Sequence, residues 1–217
     1  MKITAIKIYV ISGLGVDQRV FSKIDFGSLD LTYLDWITPS PNEPLSIYAK
    51  RISTKITAKN PILVGLSFGG MLAIEIAKII ETKQIILLAS AKGRHELPKL
   101  YRLAGRLKIN KLVPSPLLKF HCFLSDYFFG IRNKEDSRLL KQILYDTDPI
   151  FMNWAIHQIL QWKNNSVPDN LIHIHGSRDH IIPIKNVKPN FIIRGAGHFM
   201  TVTHAQEIEK LLQEICL

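Results

Sequence analysis

Residues 61–70 read Pro-Ile-Leu-Val-Gly-Leu-Ser-Phe-Gly-Gly, and this stretch decides the fold. Ile62, Leu63 and Val64 form a short apolar run, as in a strand buried on both faces. Gly65-Leu66-Ser67-Phe68-Gly69 fits Gly-x-Ser-x-Gly, the sharp turn that lifts a serine off the end of a strand. Met71 to Ile80 then reads as a helix. The glycines have a steric reason. Side chains two residues before and after the serine would collide with the flanking strand and helix. Ser67 is thereby expected to stand exposed at a helix N-terminus, where backbone N–H groups favour developing negative charge. The plainer reading is a serine that caps the helix. A strand on one side and a helix on the other favour the nucleophile.

Working outward, strands and helices alternate. Ile6–Ile11 reads as a strand, Ser12-Gly13-Leu14-Gly15 as a tight loop and Asp17–Lys23 as a short helix. Leu31–Trp36 is a second strand. Leu45, Tyr48, Ala49, Ile52 and Ile56 recur at helical spacing and predict a helix over 45–58. Gln84–Leu88 is a fourth strand, after the one that carries the serine. From 92 to 165 the alternation stops, and helices are expected over 102–107, 114–129, 134–145 and 149–162. Strands then return at Leu171–His175 and Asn190–Ile193, followed by a helix over 203–215. This order predicts a three-layer α/β/α sandwich around a mainly parallel sheet of about six strands. It divides the chain into a core, 1–91 and 166–217, and a helical cap insert, 92–165.

Ligands in such sheets bind beyond the carboxyl ends of the strands. Four segments with useful chemistry end there: Gly13-Leu14 after the first strand, Ser67 after the third, Asp179 after the fifth, and His198, in Gly195-Ala196-Gly197-His198, after the sixth. A serine hydroxyl is a poor nucleophile until a base takes its proton. A neutral imidazole does so near pH 7, and a carboxylate fixes the imidazole's tautomer. Ser67, His198 and Asp179 fill these roles. Asp179 also has a plain reading as a turn aspartate, and His198 as a core or capping histidine. Asp35, after the second strand, is expected to anchor a loop. His173 and His175 alternate on one strand face, but no third residue at metal-ligand spacing accompanies them. Gly13-Leu14-Gly15 lacks the further glycine of a dinucleotide site.

The chain order Ser, Asp, His resembles that of the α/β-hydrolase superfamily, over nearly the whole sequence. In layout it is most similar to small bacterial carboxylesterases with a helical cap. The resemblance implies an oxyanion hole formed by the backbone N–H groups of Leu14 and Phe68, with Gly65 and Gly69 as the glycines of the nucleophile turn. It implies a serine hydrolase that needs no cofactor or metal and acts on a small-molecule ester or thioester. Ser12-Gly13 stands where the family often has His-Gly, which leaves the backbone donor in place but alters how the loop is anchored. The resemblance begins at what corresponds to the family's third strand, so a sheet without its first two antiparallel strands is expected. An acyltransferase on the same residues is the nearest rival reading, and a non-catalytic binding or scaffold protein the more distant one.

Composition bounds the rest. The chain has 217 residues, 47% of them hydrophobic and 21% charged, enough for one α/β domain with a full core. Two cysteines, Cys122 and Cys216, make neither a metal spacing nor a disulfide framework, and fit a reducing cytosol. No apolar run reaches the roughly 18 residues that span a bilayer, so a cytoplasmic location is expected. The net charge is +10. Much of it falls in 92–119, where Lys92, Arg94, Lys99, Arg102, Arg106, Lys108, Lys111 and Lys119 face one acid, Glu96. The plain reading is a solvated helical face. The functional one is a landing surface for an acidic carrier protein or an anionic lipid surface. No aromatic residues interleave with these first basic ones, which argues against single-stranded nucleic acid. Phe120, Phe123, Tyr127, Phe128 and Phe129, with Leu117, Leu118 and Leu124, follow. At least one is expected in an acyl pocket.

Overall fold

In the computed structural model, residues 6–107 and 121–216 are described. Their six strands form one sheet: β1 (Ile8–Ile11), β2 (Leu31–Tyr33), β3 (Ile62–Leu66), β4 (Gln84–Leu88), β5 (Leu171–Gly176) and β6 (Phe191–Ile193). The spatial order is β2-β1-β3-β4-β5-β6, and every pairing is parallel. β3, the strand that carries Ser67, lies inside the sheet between β1 and β4. The two edge strands are three residues long.

Both faces of the sheet are covered, and the side chains alternate between them as strand geometry requires. Ile8 and Val10 of β1, Ile62 and Val64 of β3, and Ile86 and Leu88 of β4 join one core. Tyr9, Ile11, Leu63, Ile85 and Leu87 join the other. Helices α1 (Leu45–Ser53) and α2 (Phe68–Ala77) pack on the second face. The last helices, α7 (Met200–Thr203) and α8 (Ala205–Cys216), pack on the first.

Between β4 and β5 the described elements are a short 3-10 turn and four helices: α3 (Lys99–Leu107), α4 (Phe123–Phe129), α5 (Lys134–Asp146) and α6 (Pro149–Gln161). α6 ties this segment to the core. Its Phe151 and Trp154 enter an aromatic cluster with Trp36, Tyr48 and Phe68, with paired ring centroids 4.4–6.4 Å apart. Such pairs contribute about 0.5–1.5 kcal/mol each beyond the area they bury. Trp154 Nε1 also donates to the Glu43 carbonyl, and Trp162 Nε1 to the buried Glu75 carboxylate.

Several boundaries differ from the sequence reading. The helix expected over 45–58 stops at Ser53. Downstream, Asn60 has φ +46° and precedes Pro61, and a residue before proline is pushed out of the helical region. α2 begins at Phe68, because Gly69 and Gly70 are already helical rather than part of the turn. β2 ends at Tyr33, short of Trp36. The C-terminal helix is broken at His204, whose φ of −135° leaves the helical range. The helix expected over 114–129 is described only from Phe123; its first part, with Leu117, Leu118, Lys119 and Phe120, lies outside the described residues, as do Lys108 and Lys111 before it.

Candidate active site

Ser67 occupies the turn from β3 to α2 with φ +52° and ψ −118°. A non-glycine residue there costs about 1–3 kcal/mol and persists only where its surroundings over-determine it. Here they do. The Ser67 N–H donates to the Leu88 carbonyl of β4, at 2.9 Å. Its carbonyl accepts from the Gly70 N–H at 3.0 Å and from the Ser90 hydroxyl at 2.6 Å. The glycine requirement is equally concrete. A Cβ on Gly65 would lie 2.5 Å from the Gly70 backbone, and one on Gly69 would strike the Ile11 and Ser12 carbonyls.

The Ser67 hydroxyl is half-buried and lies 2.8 Å from His198 Nε2, while His198 Nδ1 lies 2.7 Å from Asp179 Oδ2. These contacts fix the proton positions. A carboxylate only accepts, so Nδ1 carries the hydrogen and Nε2 is left with its lone pair toward the serine hydroxyl. Asp179 Oδ1 accepts the N–H groups of Ile181 and Ile182, each at 2.8 Å. Burial pushes the Asp179 carboxyl up, but His198, hydrogen-bonded to it, and the Ile182 amide outweigh this and hold it below the usual carboxylate range. Asp179 is therefore charged at neutral pH while almost fully buried.

Behind Asp179 sit two further buried histidines. His175 Nε2–H donates to the Ile182 carbonyl at 2.8 Å and lies 3.5 Å from Asp179 Oδ2. Its Nδ1 must then accept, and His173 Nε2–H supplies the bond at 3.1 Å. Burial drives both imidazoles down, His173 to about 3. Both are neutral, with their facing nitrogens engaged by each other. Among the described residues, no group of three His, Cys, Asp or Glu could hold a metal ion.

The first loop lies against the serine: a Cβ on Gly13 would be 3.2 Å from Ser67 Cβ. Ser12 anchors this loop. Its buried hydroxyl donates to the Val16 carbonyl and accepts from Trp36 Nε1, each at 2.9 Å. Among the described residues, the Leu14 and Phe68 N–H groups have no hydrogen-bond acceptor. Phe68 is fully buried, stacked on Trp36 and edge-on to Trp154, so its amide is held in place from the side-chain end.

Ser67 and His198 open into a mainly apolar, partly open cavity of about 250 Å³. Tyr101 of α3, Phe129 of α4 and Ile156, Ile159 and Leu160 of α6 line it opposite the sheet. Phe129 also packs edge-on against the His198 ring, 5.8 Å away. Of the aromatic run, then, Phe129 faces the cavity, whereas Tyr127 and Phe128 are exposed. Tyr101 and the α6 residues were not read from the sequence as cavity residues. Ile156, Ile159 and Leu160, at i, i+3 and i+4, were the available signal. Asp35 is exposed and makes no side-chain hydrogen bond among the described residues, so the expected anchoring is not seen. A wider depression of about 1110 Å³ lies at the opposite end of the sheet, lined by Lys7, Lys59 and Lys83, away from Ser67.

No family model and no curated sequence matches the chain. Solved structures do. An alpha/beta hydrolase fold protein from Burkholderia ambifaria superposes with a TM-score of 0.70 at 14% identity, covering 97% of this chain and 90% of its own. An esterase from Exiguobacterium antarcticum gives 0.69 at 14% identity, covering 97% and 91%. A bromoperoxidase from Bacillus anthracis gives 0.69 at 14% identity, covering 98% and 92%. Proteins as different as an esterase and a bromoperoxidase share this fold, and a fold does not by itself set the chemistry.

Proposed function

We propose that this chain, which has the α/β-hydrolase fold, is a serine hydrolase that cleaves a carboxylic ester or thioester through an acyl-enzyme. One observation carries the reading: the Ser67–His198–Asp179 hydrogen-bond chain opens into a mainly apolar cavity. In this reaction Ser67 Oγ attacks the carbonyl carbon as its proton passes to His198 Nε2. The Asp179 carboxylate stabilises the imidazolium that forms and keeps the ring in the productive tautomer. The unengaged Leu14 and Phe68 amides receive the oxyanion, aided by the α2 N-terminus. His198 then returns the proton to the leaving alcohol or thiol. Water repeats the sequence to release the acid. Residues 92–165 serve as a cap, with Tyr101, Phe129 and the α6 residues enclosing the acyl chain.

The test pairs a covalent probe with a substrate series. A fluorophosphonate should add once to the parent chain and not to Ser67→Ala, as read by intact mass. Turnover of p-nitrophenyl esters of graded chain length should depend on Ser67 and show a preferred length. Labelling without any turnover would leave the fold with a reactive serine but reject the hydrolase. Adding an alcohol acceptor and analysing products separates hydrolysis from acyl transfer.

A further inference from the structure

We infer that the outer faces of α3 and α4 dock this protein on an anionic lipid surface, with the cavity between them turned toward that surface. The inference concerns binding, and it stands whether or not Ser67 turns over an ester.

α3 divides into three strips, since successive helical residues are about 100° apart. Tyr101, Ala104 and Gly105 turn inward. Tyr101 lines the cavity, and Gly105 is buried against the Leu160 backbone. Lys99, Arg102 and Arg106 form the next strip, with no acidic residue in the helix. Leu100, Leu103 and Leu107 form the third and are 71%, 50% and 60% exposed. α4 also has an inner and an outer side, without a basic strip: Phe129 faces the cavity, Leu124, Tyr127 and Phe128 are exposed, and its one charged residue is Asp126. One exposed leucine is ordinary. Six large apolar side chains are exposed on the two helices that flank one cavity, more than singly scattered residues account for.

The separation of charge from leucine chooses the occupant. An acidic protein would meet the guanidinium groups but would have to supply its own apolar face for the leucines. A membrane interface supplies both in the layering seen here. Phosphate headgroups take Lys99, Arg102 and Arg106, and the acyl boundary takes the leucine strip and the aromatic side chains of α4. Tyrosine suits that depth, with an apolar body and a polar tip. The overall charge of +10 attracts such a surface from a distance.

The experiment is co-sedimentation of the full chain with vesicles of phosphatidylcholine alone and of an equal mixture with phosphatidylglycerol. The parent and Ser67→Ala chains should both partition at least tenfold more strongly onto the anionic vesicles, which separates docking from catalysis. Combining Leu100→Ser, Leu103→Ser and Leu107→Ser should lower that partition at least tenfold, with the thermal unfolding midpoint unchanged. Arg102→Glu with Arg106→Glu should abolish the preference for anionic vesicles while leaving the leucines in place. No retention of the parent chain on either vesicle overturns the inference. So does unaltered retention of either variant, or capture of the parent chain by immobilised acyl carrier protein with none on vesicles.

Discussion

The turn around Ser67 and the helical segment between β4 and β5 are built on different terms. At the turn, the main chain fixes nearly everything. Ser67 is held in an unfavourable conformation by β4 and by the Ser90 hydroxyl, and Gly65 and Gly69 sit where no Cβ fits. In the helical segment, side chains do the holding. The Phe151 and Trp154 rings anchor α6, whereas α3 offers one face to the cavity and leaves its leucines in solvent. The contrast teaches where substitution is tolerated. One region stores strain to aim a hydroxyl; the other shapes a cavity from interchangeable apolar groups.

The largest expected effect lies in the first region. Ser67→Ala should lower ester turnover by on the order of 10⁴-fold or more, with the circular dichroism spectrum retained. Ser67→Gly should be equally inactive yet more stable to denaturant, because glycine relieves the φ of +52°. If Ser67→Gly is no more stable than the parent, the strain attributed to this turn is absent.

Asp179→Asn comes next. An amide still accepts the Ile181 and Ile182 N–H bonds but no longer fixes the His198 tautomer. Turnover near neutral pH should fall by about 10⁴-fold, while Asp35→Asn should change nothing. A loss in the Asp35 variant and none at Asp179 would move the acid to the other loop.

Gly69→Ala sharpens the comparison in stability rather than rate. Its Cβ meets backbone carbonyls that cannot give way, so unfolding should occur at a denaturant concentration lower by the equivalent of about 3 kcal/mol. Leu103→Ser on α3 should cost within about 0.5 kcal/mol. Comparable losses at both positions would erase the contrast.

Acidification probes the histidines behind Asp179. His173 has a pKa of about 3 in the fold against 6.5 unfolded. Between those values the unfolded chain binds a proton that the folded chain does not. Stability is therefore full above pH 6.5 and falls as pH drops below it, by about 1.4 kcal/mol per unit for this group. From pH 6.5 to 5 the loss should be roughly 2 kcal/mol, measured by urea unfolding, and the slope should flatten in His173→Phe. Asp179, held low, adds its own loss below about pH 4 as it is protonated.

The smallest effect on catalysis is expected in the cavity wall. Ile159→Ala should raise KM for the preferred ester by about tenfold and leave kcat nearly unchanged. A fall in kcat instead would mean that α6 positions the reacting groups, not the acyl chain.

The same contrast explains what the sequence reveals. Ser67, Asp179 and His198 are legible because each closes a strand with glycine nearby, and parallel strands bring their ends to one rim. The sheet is legible because β1, β3 and β4 are continuous apolar runs. Tyr101, Ile156 and Leu160 are not, because helical periodicity marks an apolar face without saying whether it meets a core, a cavity or solvent. The start of α2 at Phe68 is hidden for a related reason: Gly69 and Gly70 read as a turn, yet close packing against Ile11 and Ser90 puts them inside the helix. The stop after Ser53 and the break at His204 depend on backbone angles that no apolar pattern records.

The two outer strands of the sheet have a bearing on how the protein behaves when concentrated. A free strand edge is a row of unpaired backbone groups, and a long one invites a second chain to add its own strand. β2 and β6 each have only three residues, too few to template a lasting pair. This matters most at β6, where Phe191 and Ile192 are exposed and would otherwise favour stacking into fibrils. Brevity guards that edge, so lengthening β6 in an engineered variant would be expected to raise aggregation before it altered the active site.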